Sequence, residues 1–352
     1  MAKRIKTLKE RMADGTMPEP IEFKSTDDAI KAYESGYEGC IFDPDGAEEC
    51  EAQEDGVFGD AAHKYGIADS GKGKLNLLYP SVWEVSGHDK WFHGHISQPT
   101  GDCVARSQSH ACITSLALAV HNGNGSWPDI PEEAYASGMP WSPVGTYWLK
   151  HGGPSGWSCA AAARESKKIG LVIGKRYESV GDLLKPENYS TATISKYCRS
   201  GPPDAAFQEL NYCATQTYSR SSTSRFEEIR DALANGYGVS TCGGQGFSRT
   251  RDANGVCRRS GHWSHALALI GCDDTDWARK TYGEPLYLVL NSWGSYVKDP
   301  RHPQDNPSFP EIPKGSFWAT VSSFSGRDSY IFSVVKGFPP QKLPSWDLKS
   351  LI

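Results

Sequence analysis

Residues 261–274 read Gly-His-Trp-Ser-His-Ala-Leu-Ala-Leu-Ile-Gly-Cys-Asp-Asp, and residues 287–294 read Tyr-Leu-Val-Leu-Asn-Ser-Trp-Gly. Each stretch places a polar residue, His265 or Asn291, at the edge of an apolar run typical of a buried strand. An imidazole held by an amide side chain is the base half of a site that uses a cysteine nucleophile. The two stretches therefore predict neighbouring strands. If they form such a site, a nucleophilic cysteine is expected earlier in the chain.

Cys103 is the candidate nucleophile. It follows Gln98-Pro-Thr-Gly-Asp and begins a segment, 103–120, whose apolar residues recur close to helical spacing. A helix N-terminus and a nearby imidazolium both stabilise the thiolate, which is the form that attacks a carbonyl. Cys112 is the alternative, but the same spacing places it in mid-helix, where a core thiol is expected. The oxyanion would be stabilised by the backbone N–H of Cys103 and the side-chain amide of Gln98.

His265 is the candidate base, with His262 as the alternative; we expect His262 to be a loop residue. Asn291 would hold one tautomer of the imidazole through its side-chain oxygen. Trp293 would shield that hydrogen bond from water. A thiolate–imidazolium pair of Cys103 and His265 would depress the pKa of the thiol and raise the pKa of the imidazole.

Together these segments resemble the papain-like cysteine peptidases over residues 78–335. The resemblance implies an α+β fold with two lobes, one helical and one β-barrel-like, and an active-site cleft between them. It implies hydrolysis of a peptide or related amide through an acyl-enzyme, with a protein or peptide as substrate and with no cofactor or metal. The motif sequences are most similar to those of family members encoded by bacteriophages.

A second match is independent of these residues. The segment 151–157, His-Gly-Gly-Pro-Ser-Gly-Trp, resembles the part of the family's cleft that offers its backbone to an extended substrate. The resemblance implies that Gly152 and Gly153 bind substrate, with Trp293 beside the cleft.

The chain departs from the family's pattern at four positions. Gln98 stands one position closer to the cysteine than in the family, and Val104 stands where an aromatic residue is usual. Thr100 and Lys150 fall where the family has the two cysteines of a disulfide. The missing disulfide agrees with a reducing environment.

Helical patterns precede strand-like patterns along most of the chain, which favours an α+β protein. Two of the helices have serine N-caps, Ser25 and Ser224. The predicted helices are 25–34, 103–120, 157–170 and 224–236. The predicted strands are 237–242, 265–271, 286–291, 316–321 and 329–335.

Residues 1–75 form an acidic N-terminal extension, because the stretch 38–60 carries nine carboxylates. Within it, Asp43-Pro-Asp-Gly is expected to be a solvated turn. The papain-like domain is predicted over 76–352. Its parts are a mainly helical lobe at about 76–200, a mainly β lobe at about 201–340 and a short C-terminal tail.

The composition excludes several classes of protein. A net charge of -5 gives no support for nucleic-acid binding. The basic N-terminus lacks the apolar core of a signal peptide, and no apolar stretch is long enough to span a bilayer. A cytoplasmic location, or incorporation in a phage particle, is therefore expected. Most of the ten cysteines are expected to be reduced thiols, and His93, His95 and His110 match no zinc pattern.

Other functions compatible with the sequence are a papain-like structural or virion-associated component with little catalysis, and hydrolysis of a cell-wall amide or isopeptide bond. Residues 1–75 cannot form a core of useful size by themselves, so they must be disordered or packed on something else. The extension could lie along the protein's own cleft as an inhibitory segment or dock on a larger assembly such as a virion. The sequence favours docking, since a secretion signal is missing.

Overall fold

The computed structural model of the 352-residue chain describes most of the N-terminal region, the central helix and nearly all of the C-terminal sheet. The described residues are 8–16, 21–52, 56–86, 97–98, 100–123, 156–169, 178, 217–294, 296–297 and 312–343.

Among the described residues helices predominate before residue 170, and the longer strands come after residue 216. The described helices are α1 (Leu8–Asp14), α2 (Thr26–Glu34), α3 (Pro44–Ala52), α4 (Phe58–Tyr65), α5 (Tyr79–Ser86), α6 (Cys103–His121), α7 (Cys159–Ile169), α8 (Phe226–Ala234) and α9 (Asp276–Tyr282), with a short 3-10 helix at Val321–Phe324. The described strands are β1 (Leu75–Leu77), β2 (Thr217–Ser222), β3 (Val239–Arg251), β4 (Cys257–Asp273), β5 (Leu286–Leu290), β6 (Ser316–Thr320) and β7 (Asp328–Ser333).

One antiparallel sheet contains all of these strands. Its order is β2-β7-β3-β4-β5-β6, and β1 pairs with β4 outside that path. All five residues of β5 are buried, as its continuous apolar run predicts. The mixed helix and sheet content confirms the α+β class.

Helix α6 packs against β3, β4 and β7. Every residue from Cys103 to Ala119 is buried, including the polar ones. A helix that is enclosed on all sides has no polar face, which explains why only the spacing of its apolar residues, and not a strong stripe, marks it in the sequence. This helix carries the candidate nucleophile at its first residue.

The predicted helix starts have different outcomes. The Ser25 side chain accepts a hydrogen bond from the backbone N–H of Asp28 at 3.1 Å, so that N-cap is confirmed. The Ser224 N-cap is wrong, because α8 begins at Phe226 and the Ser224 hydroxyl accepts the N–H of Gly326 at 3.1 Å instead.

Strands β3 and β4 are much longer than predicted. Their added ends form a hairpin that is partly exposed and rich in polar residues, so the apolar pattern does not extend to it. The paired residues Phe247 and Arg259 lie in this hairpin.

The N-terminal region packs on the rest of the chain. The predicted turn at Asp43 is wrong: helix α3 starts at Pro44, and the Asp43 carboxylate accepts the N–H of Gly46 at 3.1 Å. A carboxylate that accepts an N–H of the first helical turn stabilises a helix start, and here it converts the expected turn into a helix.

Helix α4 packs on α8. Its Phe58 is fully buried, with its ring 5.3 Å from the ring of Phe338. The Asp231 carboxylate accepts the backbone N–H groups of Asp69 and Gly71 at 2.8 and 3.1 Å. The predicted boundary between the N-terminal extension and the papain-like domain, after residue 75, lies within β1.

None of the helices in the described part of the chain is long and apolar enough to cross a membrane.

Candidate active site

His265 and Asn291 meet because β4 and β5 are paired neighbours. The register pairs Ala268 with Leu290, and Asn291 follows β5 directly. His265 Nε2 lies 2.8 Å from Asn291 Oδ1, and both residues are fully buried. Trp293 stacks on the imidazole, with ring centroids 4.4 Å apart.

The tautomer of His265 follows from these contacts. The backbone N–H of Ser292 also donates to Asn291 Oδ1, at 2.7 Å, which identifies that atom as the oxygen. The oxygen accepts, so Nε2 of His265 carries the proton. Nδ1 is buried without a hydrogen-bond partner in the part of the chain that the structure describes. It is therefore the basic nitrogen that is available to a thiol.

Cys103 reaches the same place from the helical side. Its side chain is fully buried at the N-terminus of α6. Although burial outweighs both, the Tyr33 side chain and the backbone of Ala266, the residue after His265, lie close enough to the thiol to lower its pKa. The Tyr33 ring lies 4.8 Å from the imidazole of His265, centroid to centroid.

Gln98 is held in place by four hydrogen bonds. Its backbone N–H donates to the carbonyl of Ser292 at 2.7 Å, and the Ser292 hydroxyl donates to Gln98 Oε1 at 2.5 Å. Gln98 Nε2 donates to the Thr100 carbonyl at 2.7 Å and to the Tyr33 hydroxyl at 3.1 Å. The amide group thus points at a Tyr33 hydroxyl that also contacts the Cys103 thiol.

Residues 38–41, which we call the covering segment, pass directly over Cys103. A methyl group built on Gly39 would lie 2.9 Å from Cys103 Sγ and closer still to the Tyr33 hydroxyl. The glycine at this position therefore allows the chain to approach the thiol closely.

The covering segment is hydrogen-bonded like a strand along both edges. On one side, the N–H of Cys40 donates to the Ser264 carbonyl at 2.8 Å. On the other, the Trp157 N–H donates to the Gly39 carbonyl at 3.1 Å, and the Ile41 N–H donates to the Trp157 carbonyl at 2.8 Å. Both bridges, Glu38 with Ser264 and Cys40 with Trp157, are parallel. The covering segment thus lies between Ser264, which precedes His265, and Trp157, which precedes α7.

The pKa shifts run opposite to those of a thiolate–imidazolium pair. Burial raises the pKa of Cys103 to about 11, and burial lowers the pKa of His265 to about 3. The expected directions are therefore wrong for this covered arrangement. The physical reason is desolvation, which disfavours both charged forms and here exceeds the contribution of the hydrogen bonds to each group.

The remaining predicted residues are placed as follows. Cys112 is buried in the middle of α6, as expected. His262 lies on β4, paired in register with Gln245, and not in a loop. Gly152 and Gly153 lie outside the described residues.

His110 is buried, and burial lowers its pKa to about 3. His93 and His95, the other two histidines of the cluster considered as a metal site, lie outside the described residues.

Sequence reasoning missed Tyr33 and Gly39, and it named Trp157 only as the end of the predicted cleft segment 151–157. Tyr33 is recognisable only as part of the buried face of α2, which it shares with Ala29 and Ile30. That spacing predicts that Tyr33 is buried but does not identify the residues that cover it. The contact with Cys103 therefore could not be predicted from the sequence.

No protein-family model matches the chain. No curated protein matches it either. Several solved structures are similar to it.

Xylellain, a cysteine protease from Xylella fastidiosa, is 18% identical, and the match covers 68% of this chain and 82% of xylellain with a TM-score of 0.43. The digestive procathepsin L2 proteinase of Tenebrio molitor is 15% identical over 92% of this chain and 87% of that chain, with a TM-score of 0.47. The ragweed pollen cysteine protease Amb a 11, in its proform, is 13% identical over 95% and 81% of the two chains, with a TM-score of 0.43.

Proposed function

We propose that this chain is a papain-like cysteine peptidase that hydrolyses peptide or related amide bonds through an acyl-enzyme. The observation that carries the proposal is the 2.8 Å contact between His265 Nε2 and Asn291 Oδ1, which leaves Nδ1 basic. The buried Cys103 thiol, at the N-terminus of α6, lies beside the backbone of Ala266, the residue after His265. In this proposal the cleft lies between a helical lobe that begins with α6 and a barrel-like lobe formed by the sheet.

The chemistry assigns one task to each group. Cys103 Sγ attacks the carbonyl carbon while His265 Nδ1 takes the thiol proton. The oxyanion is stabilised by the Gln98 amide and the backbone N–H of Cys103. The imidazolium then protonates the leaving amine, and a water molecule, deprotonated by the same imidazole, releases the acyl group. Asn291 keeps the imidazole in the required tautomer throughout.

The proposal includes a covered, inactive form of the site. The covering segment lies as an extended strand between Ser264 and Trp157, where a substrate peptide would lie. The Tyr33 hydroxyl contacts both Gln98 Nε2 and the Cys103 thiol, so it takes the place of the oxyanion. With these contacts in place, a substrate carbonyl has no access to the thiol. The contacts support an inhibitory role for the N-terminal extension over docking on a virion.

Gly152 and Gly153 are proposed to bind substrate beside Trp157. The backbone of Trp157 already pairs with an extended segment, the chain's own residues 39–41. A substrate that replaced the covering segment would find the same donor and acceptor. Trp293 is proposed to shield the His265–Asn291 hydrogen bond beside that substrate.

The test is hydrolysis by the uncovered protein, obtained by removing residues 1–41. A proteome-derived peptide mixture, casein and peptidoglycan are offered as substrates, with new amines measured by mass spectrometry. We expect peptide cleavage that is abolished in Cys103→Ala. Cleavage of peptidoglycan alone would assign the site to a cell-wall amidase.

A second measurement tests the role of Asn291. Asn291→Ala should lower kcat/KM about 10²-fold, because general base catalysis then works with a poorly oriented imidazole. Asn254→Ala is the matched control, since Asn254 lies in the hairpin between β3 and β4 and donates to the Tyr282 hydroxyl.

A folded, uncovered protein that cleaves nothing and does not react with a cysteine-directed electrophile would contradict the peptidase proposal and favour the structural-component alternative.

A further inference from the structure

Three cysteines lie together at the edge of the covered site. The sulfur atoms of Cys40, Cys159 and Cys242 all lie within 4.8 Å of one another. Cys159 and Cys242 form a disulfide, whereas Cys40 is a free thiol. The three sulfurs come from three different elements: the covering segment, the first residue of α7, and β3.

The cluster opens into a cavity. All three cysteines line a cavity of about 780 Å³, together with Glu38, Ser264 and other residues of both the N-terminal region and the sheet. Cys40 is only partly buried. Cys40 is therefore more accessible from the cavity than the buried free thiols of the core, such as Cys103 and Cys112.

We propose that Cys40, Cys159 and Cys242 form a thiol–disulfide exchange site that tethers the covering segment covalently over the active site. In the exchange, Cys40 gives up its proton to solvent and its thiolate attacks one sulfur of the Cys159–Cys242 disulfide. A new bond forms between Cys40 and the attacked sulfur as the old S–S bond breaks. The leaving thiolate takes up a proton, so sulfur oxidation is conserved and no oxidant is consumed.

In this proposal, which two of the three cysteines are bonded determines how firmly the covering segment is held over the active site. With Cys159–Cys242 paired, the covering segment is held by its hydrogen bonds and packing alone. With Cys40 linked to either partner, the segment is anchored one residue from Gly39, which lies over Cys103. A small thiol or dithiol reductant that opens the link would permit uncovering. Control of hydrolysis in this way rests on the proposed function, whereas the exchange itself does not.

The exchange should be slow. Burial raises the pKa of the Cys40 thiol well above its ordinary value, and the Arg327 guanidinium only partly offsets this. Few molecules carry the attacking thiolate at neutral pH, so equilibration over hours is expected.

Disulfide mapping of the full chain tests the proposal. The protein is equilibrated in glutathione buffers of graded redox potential, quenched with acid, alkylated, and digested without reduction. Trypsin places Cys40, Cys159 and Cys242 on separate peptides, and cleavage before Asp43 separates Cys40 from Cys50. We expect linked peptides that contain Cys40, with the displaced partner alkylated to the same extent that Cys40 is protected.

Two variants sharpen the result. Cys40→Ser should show only the Cys159–Cys242 link at every oxidising potential. Cys50→Ser is the control on the same tryptic peptide, because a serine can still donate to the Ala160 carbonyl as the Cys50 thiol does. It should leave the distribution of links unchanged.

Three outcomes would overturn the proposal. The first is that Cys40 stays fully alkylatable while only Cys159–Cys242 is found. The second is that Cys40 is linked to Cys103 in place of its two neighbours. The third is a metal ion held by the three thiolates, seen as added mass in native mass spectrometry. None of these measurements uses a substrate, so loss of the exchange site and loss of the peptidase proposal are separate results.

Discussion

Gly39→Ala should uncover Cys103. The added methyl would lie 2.9 Å from Cys103 Sγ and still closer to the Tyr33 hydroxyl, well inside contact distance. Tyr33 cannot swing aside easily, because its ring packs against Trp293 at 5.1 Å and against Phe23 at 6.1 Å. Forcing an extra carbon into such a packed site costs about 1–3 kcal/mol. The cost falls on the covered form alone, since the segment is free of these contacts when it lifts.

The expected magnitude follows from this cost. If alkylation of Cys103 proceeds only through the uncovered form, its rate scales with the population of that form. A destabilisation of about 1–3 kcal/mol then raises the rate about 5- to 150-fold, at 1.4 kcal/mol for each factor of ten. In the covered form the thiol pKa of about 11 keeps Cys103 protonated at neutral pH, which adds to the contrast.

The assay is the rate of iodoacetamide labelling of Cys103 at pH 7, followed by peptide mass spectrometry. Gly59→Ala is the matched control, because a methyl on Gly59 in α4 has its nearest neighbour, Glu228 Oε1, at 3.8 Å. It should leave the labelling rate unchanged. A folded Gly39→Ala protein that labels at the wild-type rate would refute the argument that residues 38–41 limit access to the thiol.

Two further expectations concern stability. His265 and His110 are buried as neutral imidazoles whose pKa burial lowers from 6.5 to about 3. Below pH 6.5 these histidines become protonated in the unfolded chain, whereas in the folded chain they stay neutral down to about pH 3. The free energy of unfolding therefore falls between pH 6.5 and about pH 3, by about 1.4 kcal/mol per pH unit for each histidine. Urea denaturation at pH 7 and 4.5 measures this loss, and a His110→Gln variant that loses as much as the wild type would contradict it. Removal of residues 1–75 deletes the buried ring of Phe58, and loss of such a ring costs about 3–5 kcal/mol out of a typical total of about 5–15, so the thermal transition should be lowered or lost. A stable, cooperative protein without residues 1–75 would show that α3 and α4 are dispensable.

The local pattern of the chain determines much of the site. His265 and Asn291 stand at the edges of apolar runs, and such runs become neighbouring buried strands with few alternatives. Cys103 begins a segment of helical spacing, so its place at a helix N-terminus follows from the residues around it. These features depend on interactions within a few residues along the chain, which a sequence displays directly.

The N-terminal region shows the limit of local patterns. Its acidic composition predicts that it cannot fold alone. The buried residues Phe23, Tyr33, Ile41 and Phe58 are spread thinly among charged ones, so nothing local identifies the surface that they cover. That surface includes His265 and Trp293, which lie more than two hundred positions after Tyr33 in the chain.

Cys103, His265 and Asn291 are thus marked by the sequence alone as a candidate site, together with the α+β class. Only the tertiary structure decides that the covering segment lies over the thiol and that Tyr33 fills the space beside Gln98. It also decides that Cys40 meets a disulfide whose two cysteines are 83 residues apart. The reason is physical: burial and long-range pairing depend on how the whole chain closes on itself. Desolvation, which sets the direction of the pKa of Cys103, depends on that closure as well.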